Sequence, residues 1–511
     1  MSRPSADLVT LLRSAAESWP EHTAWIFDAT GERLSFTEVD RRSGKLAGAL
    51  AANGVRADDP VAVMMGNQPE FPLLWLSLAK LGAILVPLNT NYRELDGGHV
   101  LAHCGARLAV AGDEFMSALR DMAEDSGVER VLTVHELADH PPVDAAAAPE
   151  ERIVNIQYTS GTTGTPKGCT LSHRYWTTLA SSLTREHPTV TAEDTILTAQ
   201  PFHYIDPQWN VALGLMSGAT LVILDRFHPD SFWQKVRQYR VSWFYCLGLM
   251  PTLLLATAES HLDTQHEVRA ISASAIPPEE HAALERRWAV PWYESFGMTE
   301  TGSDLRVSPD DHDETVGTGC IGRPIAAREA MIVDSHDRPL ARGSTGELVL
   351  RGVGLMHGYH NAPEATATAF RGGWFHTGDQ AMMDHRGRVY YVGRSKDMIR
   401  RSGENIAADE VERALLLHPG VLLAAVLAVP DKLRGEEVKA YIVSTRDAEI
   451  APDELADFCA SKLAYFKVPR YWEFTDTLPT TPSERVAKGR LRAAKADLRA
   501  DSYDRKSGEW M

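Results

Sequence analysis

The chain reads Tyr158-Thr159-Ser160-Gly161-Thr162-Thr163-Gly164-Thr165-Pro166-Lys167-Gly168 between an apolar stretch and a segment with helical periodicity. The glycines let the backbone wrap closely around an anion, and the five serine and threonine hydroxyls can donate hydrogen bonds to phosphate oxygens. Lys167 adds a positive charge, although the proline before it differs from the glycine of a Walker A loop. This composition indicates a phosphate-binding loop more strongly than an ordinary surface loop.

Length and charge narrow the classes of protein that can carry this loop. The chain has 511 residues, 44% of them hydrophobic and 24% charged, which is enough for roughly two to four globular domains. Its net charge of −17 disfavours binding to nucleic acids. The five cysteines are scattered singly, which argues against a disulfide framework or a zinc site. The sequence shows no signal-peptide pattern and no stretch apolar enough to span a bilayer, so we expect a cytoplasmic protein.

Short β-rich runs alternate with helical patterns over most of the chain. The runs that predict strands include 61–65, 84–86, 108–111 and 219–224. This alternation predicts an α/β fold with largely parallel sheets. From about Ile321, short strands separated by glycine and aspartate turns predict a smaller β subdomain, and the pattern after Gly393 predicts a compact α+β module.

The phosphate loop resembles that of the adenylate-forming superfamily, which includes acyl-CoA ligases, peptide-synthetase adenylation domains and luciferases. Three further segments match the superfamily's motifs in order, namely Phe296-Gly297-Met298-Thr299-Glu300, Gly373-Trp374-Phe375-His376-Thr377-Gly378-Asp379 and Gly393-Arg394-Ser395-Lys396-Asp397. The resemblance runs from about residue 8 to 495. It implies an N-terminal AMP-binding and acyl-binding domain over 1–393, a hinge at 394–396, and a mobile C-terminal domain over 397–511. The small domain is expected to rotate between two half-reactions, which use ATP and then CoA.

The resemblance assigns a role to each nucleotide-site residue. Glu300 is expected to hold Mg²⁺, which prefers oxygen ligands and bridges nucleotide phosphates. Thr299 would donate to the α-phosphate, and Asp379 and Arg394 would bind the ribose. The full AMP or ATP site implied in this way comprises Thr159, Ser160, Gly161, Thr162, Thr163, Gly164, Lys167, Ser274, Ala275, Phe296, Gly297, Met298, Thr299, Asp379 and Arg394.

The acyl pocket is expected behind Pro201-Phe202-His203, which resembles the aromatic-histidine segment that gates the acyl tunnel of CoA ligases. Residues expected to line or border it are His203, Tyr204, Gln208, Trp209, Tyr245, Leu247, Leu249 and Met250, and each could equally well pack in the core. Amino-acid-activating relatives pair the substrate's α-ammonium group with an aspartate in this part of the pocket. Because an unpaired buried ammonium group is costly, we expect amino acids to be poor substrates and favour a bulky hydrophobic acid.

The C-terminal motif departs from the family pattern. The family has Gly-Lys where this chain has Glu484-Arg485, and that lysine bridges the substrate carboxylate and the α-phosphate during adenylation. A guanidinium is planar and larger than an ammonium group, and misplacing one transition-state donor costs about 3–4 kcal/mol. Lys488 matches a second basic position and is not expected to substitute. Lys396 matches the family's hinge position, where the small domain is expected to rotate. Gly403 lies in a segment that resembles the loop lining the pantetheine tunnel, so we expect it to serve the CoA half-reaction.

We therefore predict an enzyme that is weak at making acyl-adenylates but competent at converting them to acyl-CoA. A separate adenylating ligase would supply the adenylate, as in the split acyl-CoA ligases of secondary metabolism, and Arg485→Lys should raise adenylation markedly. The residues expected to be catalytic are Arg485, Glu300, Thr299, Lys396, Gly403 and His203. Two alternatives stay open: a complete ATP-dependent ligase, and a module that binds acyl-adenylates or CoA without turnover. A homodimer is open as well.

Overall fold

The computed structural model describes residues 7–92, 94–137, 140–143, 147–159, 166–394, 397–401, 404–431, 434–446, 448, 450–463, 465–481 and 485–511. Within these ranges the α-helices are α1 (Leu8–Ser18), α2 (Phe36–Ala52), α3 (Glu70–Leu81), α4 (Glu94–Cys104), α5 (Met116–Ala123), α6 (His173–Arg185), α7 (Ile205–Ser217), α8 (Pro229–Gln238), α9 (Met250–Leu255), α10 (Pro278–Trp288), α11 (Pro309–Thr315), α12 (Pro363–Ala369), α13 (Ala408–Leu416), α14 (Pro452–Lys462) and α15 (Lys488–Ala493). The strands are β1 (Thr23–Phe27), β2 (Arg33–Ser35), β3 (Pro60–Met64), β4 (Ile84–Pro87), β5 (Leu108–Ala111), β6 (Arg130–Thr133), β7 (Ile153–Thr159), β8 (Lys167–Ser172), β9 (Thr195–Thr198), β10 (Thr220–Ile223), β11 (Trp243–Leu247), β12 (Ala270–Ser274), β13 (Trp292–Phe296), β14 (Leu305–Arg306), β15 (Cys320–Pro324), β16 (Arg328–Val333), β17 (Thr345–Gly352), β18 (Gly358–Tyr359), β19 (Phe375–Met383), β20 (Val389–Arg394), β21 (Met398–Arg401), β22 (Glu404–Ala407), β23 (Val421–Asp431), β24 (Gly435–Ser444), β25 (Tyr471–Phe474), β26 (Tyr503–Asp504) and β27 (Glu509–Trp510).

The first sheet has the strand order β18-β8-β7-β4-β3-β5-β6. Strands β3 to β7 pair in parallel, whereas β8 returns antiparallel to β7. The strands predicted at 84–86 and 108–111 are confirmed. The helical segment predicted directly after the phosphate loop is wrong at its start, because α6 begins only at His173. The residues directly before α6 form strand β8 instead, because their backbone pairs with β7.

The second sheet joins a parallel half to an antiparallel half. Strands β1, β10, β9, β11, β12 and β13 pair in parallel. Strands β14, β15, β20, β19, β17 and β16 continue the sheet with antiparallel pairing. The predicted β subdomain is therefore present, but its strands are hydrogen-bonded to the parallel sheet through β14 and β15.

The main core links the two sheets through the helices between them. Trp75 of α3 and Trp176 of α6 are fully buried, and their indole N–H groups donate to Oδ1 of Asn155 at 2.9 and 3.1 Å. The amide of Asn155 donates in turn to Oε1 of Gln208 at 2.8 Å. Because buried polar groups need partners, this network fixes the start of α7 beside β7.

The C-terminal residues form a third sheet of their own. Its order is β22-β21-β24-β25-β26-β27, and β23 pairs with β24. Apolar residues of α13, α14 and the strands fill its core, among them Val411, Val426 and Leu455. The small α+β module predicted after Gly393 is confirmed, beside a large N-terminal α/β domain. Strand β20 extends to Arg394, and the limits proposed for the hinge stay predictions.

Candidate active site

The β7–β8 hairpin places both ends of the phosphate loop. Thr159 and Lys167 are partners across the two strands, and the Thr159 hydroxyl donates to the Lys167 carbonyl oxygen at 3.5 Å. The Lys167 ammonium group lies 5.1 Å from the centroid of the Tyr359 ring, an arrangement that stabilises the cation. The loop residues Ser160, Gly161, Thr162, Thr163 and Gly164 lie outside the described residues.

Tyr359 connects this lysine to the predicted metal ligand. Its hydroxyl donates to Oε1 of Glu300 at 3.0 Å, and the Glu300 carbonyl accepts from the Met356 N–H at 2.8 Å. Burial and the charge of Glu300 raise the pKa of Tyr359, so its hydroxyl stays a donor. A carboxylate oxygen is a preferred ligand of Mg²⁺. Glu300, oriented by Tyr359, therefore fits the metal that the resemblance implies.

A tight turn after β13 carries Thr299 and Glu300. A Cβ atom on Gly297 would lie only 2.0 Å from the carbonyl oxygen of Gly302, so this close approach of two backbone segments requires glycine. The Gly302 N–H donates to the carbonyl of Met298 at 2.7 Å, which closes the turn. The motif at 296–300 thus ends in a compact turn, which carries Thr299 and Glu300 next to each other.

A buried ion pair supports this turn. The side chains of Asp304 and Arg328 are 0% and 1% exposed, and Oδ1 of Asp304 lies 2.8 Å from Nε of Arg328. The Thr301 hydroxyl donates to Asp304, and Arg328 donates to the Thr301 carbonyl. Removing one partner of such a pair leaves an uncompensated buried charge. The pair therefore holds the turn rigidly.

Asp379 and Arg394, the two residues assigned to the ribose, face each other. They are partners across strands β19 and β20. Asp379 is buried, and its N–H donates to the Thr377 hydroxyl at 3.0 Å. The side chain of Arg394 is outside the described part of the chain. The structure thus brings the backbones of both predicted ribose ligands to one place.

Strand β12, which carries Ser274 of the expected AMP or ATP site, ends in a strained turn. Ala275 has a φ of +72°, which is costly for a residue with a Cβ atom. The Glu294 carboxylate accepts hydrogen bonds from the N–H groups of Ala275 and Ile276 at 2.7 and 2.8 Å. Burial raises the pKa of Glu294 to about 8, although these hydrogen bonds lower it. Sequence reasoning misses Glu294, because its partners lie on the neighbouring strand.

His203 stands at the predicted gate of the acyl pocket. It is 3% exposed, and neither ring nitrogen has a hydrogen-bond partner among the described residues. Burial lowers its pKa to about 3, so the imidazole is neutral. The Gln157 amide donates to the His203 carbonyl at 2.6 Å, and the ring packs against Tyr204 with centroids 4.4 Å apart. A buried ring with two unused nitrogens is suited to contact a substrate.

Gln208 and Met250, expected at the pocket, are used inside the protein. Gln208 is fully buried, and its Nε2 donates to the carbonyls of Phe202 and Tyr204 at 2.9 and 3.0 Å. Met250 packs in the core beneath the second sheet. Hydrogen bonding and packing thus hold these two side chains in the interior beside the expected gate, and their place at the border of the pocket stays a prediction.

Two residues of α7 and β11 that are expected to line the pocket contact each other. The ring of Trp209 meets the ring of Tyr245 edge-on, with centroids 5.6 Å apart. The Tyr245 hydroxyl is hydrogen-bonded to the Ser274 hydroxyl at 2.5 Å, which connects the acyl pocket to the nucleotide strand. Leu247 ends β11 and Leu249 directly precedes α9. Trp209 and Tyr245, two of the residues expected to line the pocket, are thus brought together.

Asp206 interacts with two of the residues expected to line the pocket, and sequence reasoning misses it. It lies in the first turn of α7, three residues before Trp209 and therefore on the same helix face. Burial raises its pKa to about 6, whereas the Trp209 indole and the charge of Arg485 lower it. Burial and the Asp206 charge raise the pKa of Tyr245. Its spacing from His203 and Trp209 is the signal that could have placed it here.

The charge of Arg485, in the C-terminal domain, acts on two residues of the large domain. The N–H of Arg485 donates to the Thr481 hydroxyl at 3.1 Å, and an isolated β-bridge closes the turn that carries it. Its positive charge lowers the pKa of both Asp206 and Tyr245. The residue that replaces the family's lysine therefore acts electrostatically on two residues of the large domain, one of which, Tyr245, is expected at the acyl pocket.

Lys488 is held elsewhere, as expected. Its ammonium nitrogen lies 2.8 Å from Oε1 of Glu412 and 3.3 Å from Oδ1 of Asp409. Both partners belong to α13 of the C-terminal domain. Lys488 is thus paired within its own domain. The described residues do not include Lys396, Gly403 or Glu484.

Two family models match the chain. The model described as AMP-binding enzyme covers residues 12–360, and the model described as AMP-binding enzyme C-terminal domain covers residues 410–485. The chain belongs to the AMP-binding enzyme family. The expected resemblance to acyl-CoA ligases is confirmed at the level of the enzyme family by both the relatives and the solved structures.

Curated relatives place this AMP-binding enzyme among the acyl-CoA ligases. It is 32% identical over 499 residues to the sulfoacetate–CoA ligase of Cupriavidus necator, covering 95% of this chain and 97% of that protein. It is 31% identical over 507 residues to the crotonobetaine/carnitine–CoA ligase of Proteus mirabilis, covering 93% and 97%. Two-step, ATP-dependent ligation of a carboxylic acid to CoA is the usual mechanism of such enzymes.

Solved structures agree with the fold of this AMP-binding enzyme. The o-succinylbenzoate CoA synthetase of Bacillus subtilis, in complex with its acyl-adenylate intermediate, superimposes with a TM-score of 0.86 at 26% identity and covers 96% of this chain and 99% of that one. The same synthetase with ATP and a magnesium ion gives a TM-score of 0.85 at 27% identity, covering 94% and 99%. Among the described residues, no helix is both long and apolar enough to cross a membrane.

Proposed function

We propose that this AMP-binding enzyme carries out both half-reactions of an acyl-CoA ligase, with Arg485 as the cation of the first. In that step a carboxylate oxygen of the acid attacks the α-phosphorus of ATP, and pyrophosphate leaves. In the second step the sulfur of CoA loses its proton and attacks the acyl carbon, and AMP leaves. The observation that supports the proposal is that the Arg485 charge lowers the pKa of Asp206 and of Tyr245, which is expected to line the acyl pocket.

A guanidinium is chemically able to do what the family's lysine does. It offers five N–H donors and can bind two oxygens at once, so Arg485 can hold the substrate carboxylate beside the α-phosphate. Thr299 and Lys167 would donate to phosphate oxygens. Glu300 would hold Mg²⁺, which when bound offsets phosphate charge. Neutral His203 would contribute a hydrogen bond at the acyl group without adding charge.

The second candidate is the thioester-forming half enzyme. The observation that favours it is the replacement of Gly-Lys by Glu484-Arg485, since a planar guanidinium need not reproduce the geometry of an ammonium group. In that case a separate adenylating ligase would supply the acyl-adenylate, as in a split pathway of secondary metabolism.

For the acid, we propose a molecule large enough to contact Trp209, Tyr245 and Leu247. The two aromatic rings and the aliphatic side chain support the bulky substrate predicted from the sequence. Asp206 adds a carboxyl group to this otherwise apolar wall.

The test offers a panel of bulky acids with ATP, Mg²⁺ and CoA, and in parallel their preformed acyl-adenylates with CoA. Acyl-CoA is measured by mass spectrometry. Acyl-CoA from free acids at a rate comparable to that from adenylates supports the complete ligase. Acyl-CoA from the adenylates alone contradicts it and supports the half enzyme, whereas no acyl-CoA from either contradicts both.

A further inference from the structure

We infer that Asn67 is a positioning residue of the acyl site: its amide group fixes the segment that carries His203 and so sets where the His203 ring meets the acyl group. The inference rests on the proposed function, because it adds to that site a residue that acts through His203 and touches no substrate itself. Asn67 lies three residues after β3 of the first sheet, whereas His203 follows β9 of the second sheet.

The side chain of Asn67 forms three hydrogen bonds to the second sheet. Its Nδ2 donates to the carbonyl oxygens of Gln200 and Leu224, each at 2.8 Å. Its Oδ1 accepts from the N–H of Phe202 at 2.9 Å. Gln200 and Leu224 directly follow the ends of β9 and β10, which pair in parallel. Asn67 therefore fixes the backbone at the carboxyl ends of parallel strands, where open α/β sheets bind their ligands.

These three bonds depend on the amide group of Asn67. An amide supplies two N–H donors and one oxygen acceptor, which matches the two carbonyl groups and the one N–H group that it meets. An aspartate of the same shape is an acceptor only when it is ionised, so one of its oxygens would face two carbonyl oxygens. An alanine would leave all three backbone groups without this partner. The position of residues 200–202 is therefore sensitive to a change of residue type at Asn67.

The ring of Phe71 holds the same segment through a second contact. It stacks on the ring of Phe202 with centroids 5.2 Å apart and an interplanar angle of 19°, and both side chains are fully buried. Phe71 lies in the first turn of α3, four residues after Asn67. The N–H group and the side chain of Phe202 are therefore both bound by one short stretch of chain. Because Phe202 directly precedes His203, this stretch fixes the backbone on one side of the imidazole.

On the other side, the Gln157 amide donates to the His203 carbonyl at 2.6 Å. The ring nitrogens of His203 differ from its backbone, since they are buried and form no hydrogen bond within the part of the chain that the structure describes. A ring held in this way would bind an acyl group with little further loss of conformational freedom. The rival explanation is that Asn67 only joins the two sheets and contributes to stability.

A double-mutant cycle separates these explanations, because two residues that act as a unit show non-additive effects. The proteins are the wild type, Asn67→Asp, His203→Ala and the double variant. Asn67→Ala replaces Asn67→Asp if the latter does not fold, as judged by circular dichroism and urea unfolding. The control is Asn53→Asp at the end of α2, where an amide also donates to a backbone carbonyl, that of Ala49, at 2.9 Å.

The substrates are benzoate, phenylacetate and octanoate with ATP, Mg²⁺ and CoA, and in parallel their preformed acyl-adenylates with CoA. For each protein, kcat and KM are measured for the acid and for ATP separately. Calorimetry gives the Kd of the matching acyl-sulfamoyl-adenosines, which are stable analogues of the acyl-adenylates. The Kd values need no turnover, so the inference can be judged even if the free acids are not used.

We expect Asn67→Asp to lower kcat/KM for the acid about tenfold or more, as for other small misplacements of a group at a reacting centre. The KM for ATP should stay within about twofold of wild type, as should all values for Asn53→Asp. In the His203→Ala background, Asn67→Asp should change kcat/KM for the acid and the Kd of the analogue by less than about twofold, because the ring that Asn67 positions is absent.

Three results would overturn the inference: an unchanged kcat/KM for the acid in Asn67→Asp, an equal loss in both backgrounds, or an equal rise of KM for the acid and for ATP. Conversion of the adenylates without use of the free acids would overturn the complete ligase, and the cycle measured with adenylates and analogues would then decide the inference alone. Neither binding nor turnover of any of these probes by the wild type would overturn both.

Discussion

The charge of Arg485 lowers the pKa of Asp206, although the two residues belong to different domains. Asp206 starts α7 of the large domain, and Arg485 lies in a turn of the C-terminal domain. Charges of opposite sign from the large domain and from the C-terminal domain therefore act on each other. This relationship is the basis for proposing that a cation of the small domain takes part in the first half-reaction.

Arg485→Ala should impair adenylation selectively. Loss of one transition-state donor costs about 10²- to 10³-fold in rate, and we expect that loss in acid-dependent pyrophosphate release. Conversion of preformed acyl-adenylates to acyl-CoA should fall much less, because a different face of the small domain serves it. Arg490→Ala, at an exposed arginine of the nearby helix α15, is the matched control. Arg485→Lys should stay within about tenfold of wild type; a large gain would instead support the half enzyme.

Gly297→Ala should displace the turn that carries Thr299 and Glu300. Its Cβ atom would lie 2.0 Å from a backbone oxygen, so the turn must shift, at a cost of about 1–3 kcal/mol in the free energy of unfolding. We expect kcat/KM for ATP to fall at least about tenfold. Gly489→Ala, where the added atom meets nothing within 4 Å, should leave ATP use intact. An unchanged KM and kcat in Gly297→Ala would contradict this account of the turn.

Tyr359→Phe should weaken the response to Mg²⁺. The phenol orients the Glu300 carboxylate through a hydrogen bond of 3.0 Å, and losing a partner that orients a metal ligand typically costs about tenfold or more in affinity. The Mg²⁺ concentration for half-maximal activity should therefore rise by about that factor. Tyr503→Phe, which removes a tyrosine–carboxylate hydrogen bond to Asp453 in the C-terminal domain, is the control. If both variants need the same Mg²⁺ as wild type, Glu300 is not the ligand that Tyr359 orients.

Glu294 should make stability depend on pH in a defined window. Burial raises its folded-state pKa from about 4.5 to about 8, so the folded protein binds this proton more tightly than the unfolded chain. The stabilisation of the folded state that this tighter proton binding provides is complete below about pH 4.5 and is lost as the pH rises to about 8. Denaturant titrations across this range should show a shallower fall in the free energy of unfolding for Glu294→Gln than for wild type. The exposed Glu193→Gln serves as control, and equal slopes in all three proteins would contradict the assignment.

Local patterns were sufficient to predict much of the fold. The apolar run 108–111 becomes β5 with the same limits, because a short buried strand of a parallel sheet needs little beyond local hydrophobicity. Strand β8 could not be predicted in this way, since its conformation depends on pairing with β7 across the phosphate loop.

At the candidate site too, some residues can be predicted from local motifs and others depend on the folded structure. Motifs placed Glu300 and Asp379 by residue type and order. Glu294 cannot be found from local patterns, because its hydrogen-bond partners lie in the turn after the neighbouring strand. Asp206 has a local signal in its spacing from His203 and Trp209, but its interaction with Arg485 joins residues distant in sequence. Gln208 was assigned to the pocket because its local spacing is right, but its amide atoms are used by the turn that it supports.

Acid-dependent exchange of pyrophosphate into ATP, measured without CoA, tests the central claim most directly. It reports the first half-reaction alone, and the same preparation should be shown to convert preformed acyl-adenylates to acyl-CoA. If the protein is a complete ligase with Arg485 as the adenylation cation, at least one acid whose adenylate is converted should support exchange, and Arg485→Ala should abolish most of it. Absence of exchange with every such acid would contradict the claim and leave the protein as the thioester-forming half of a divided reaction.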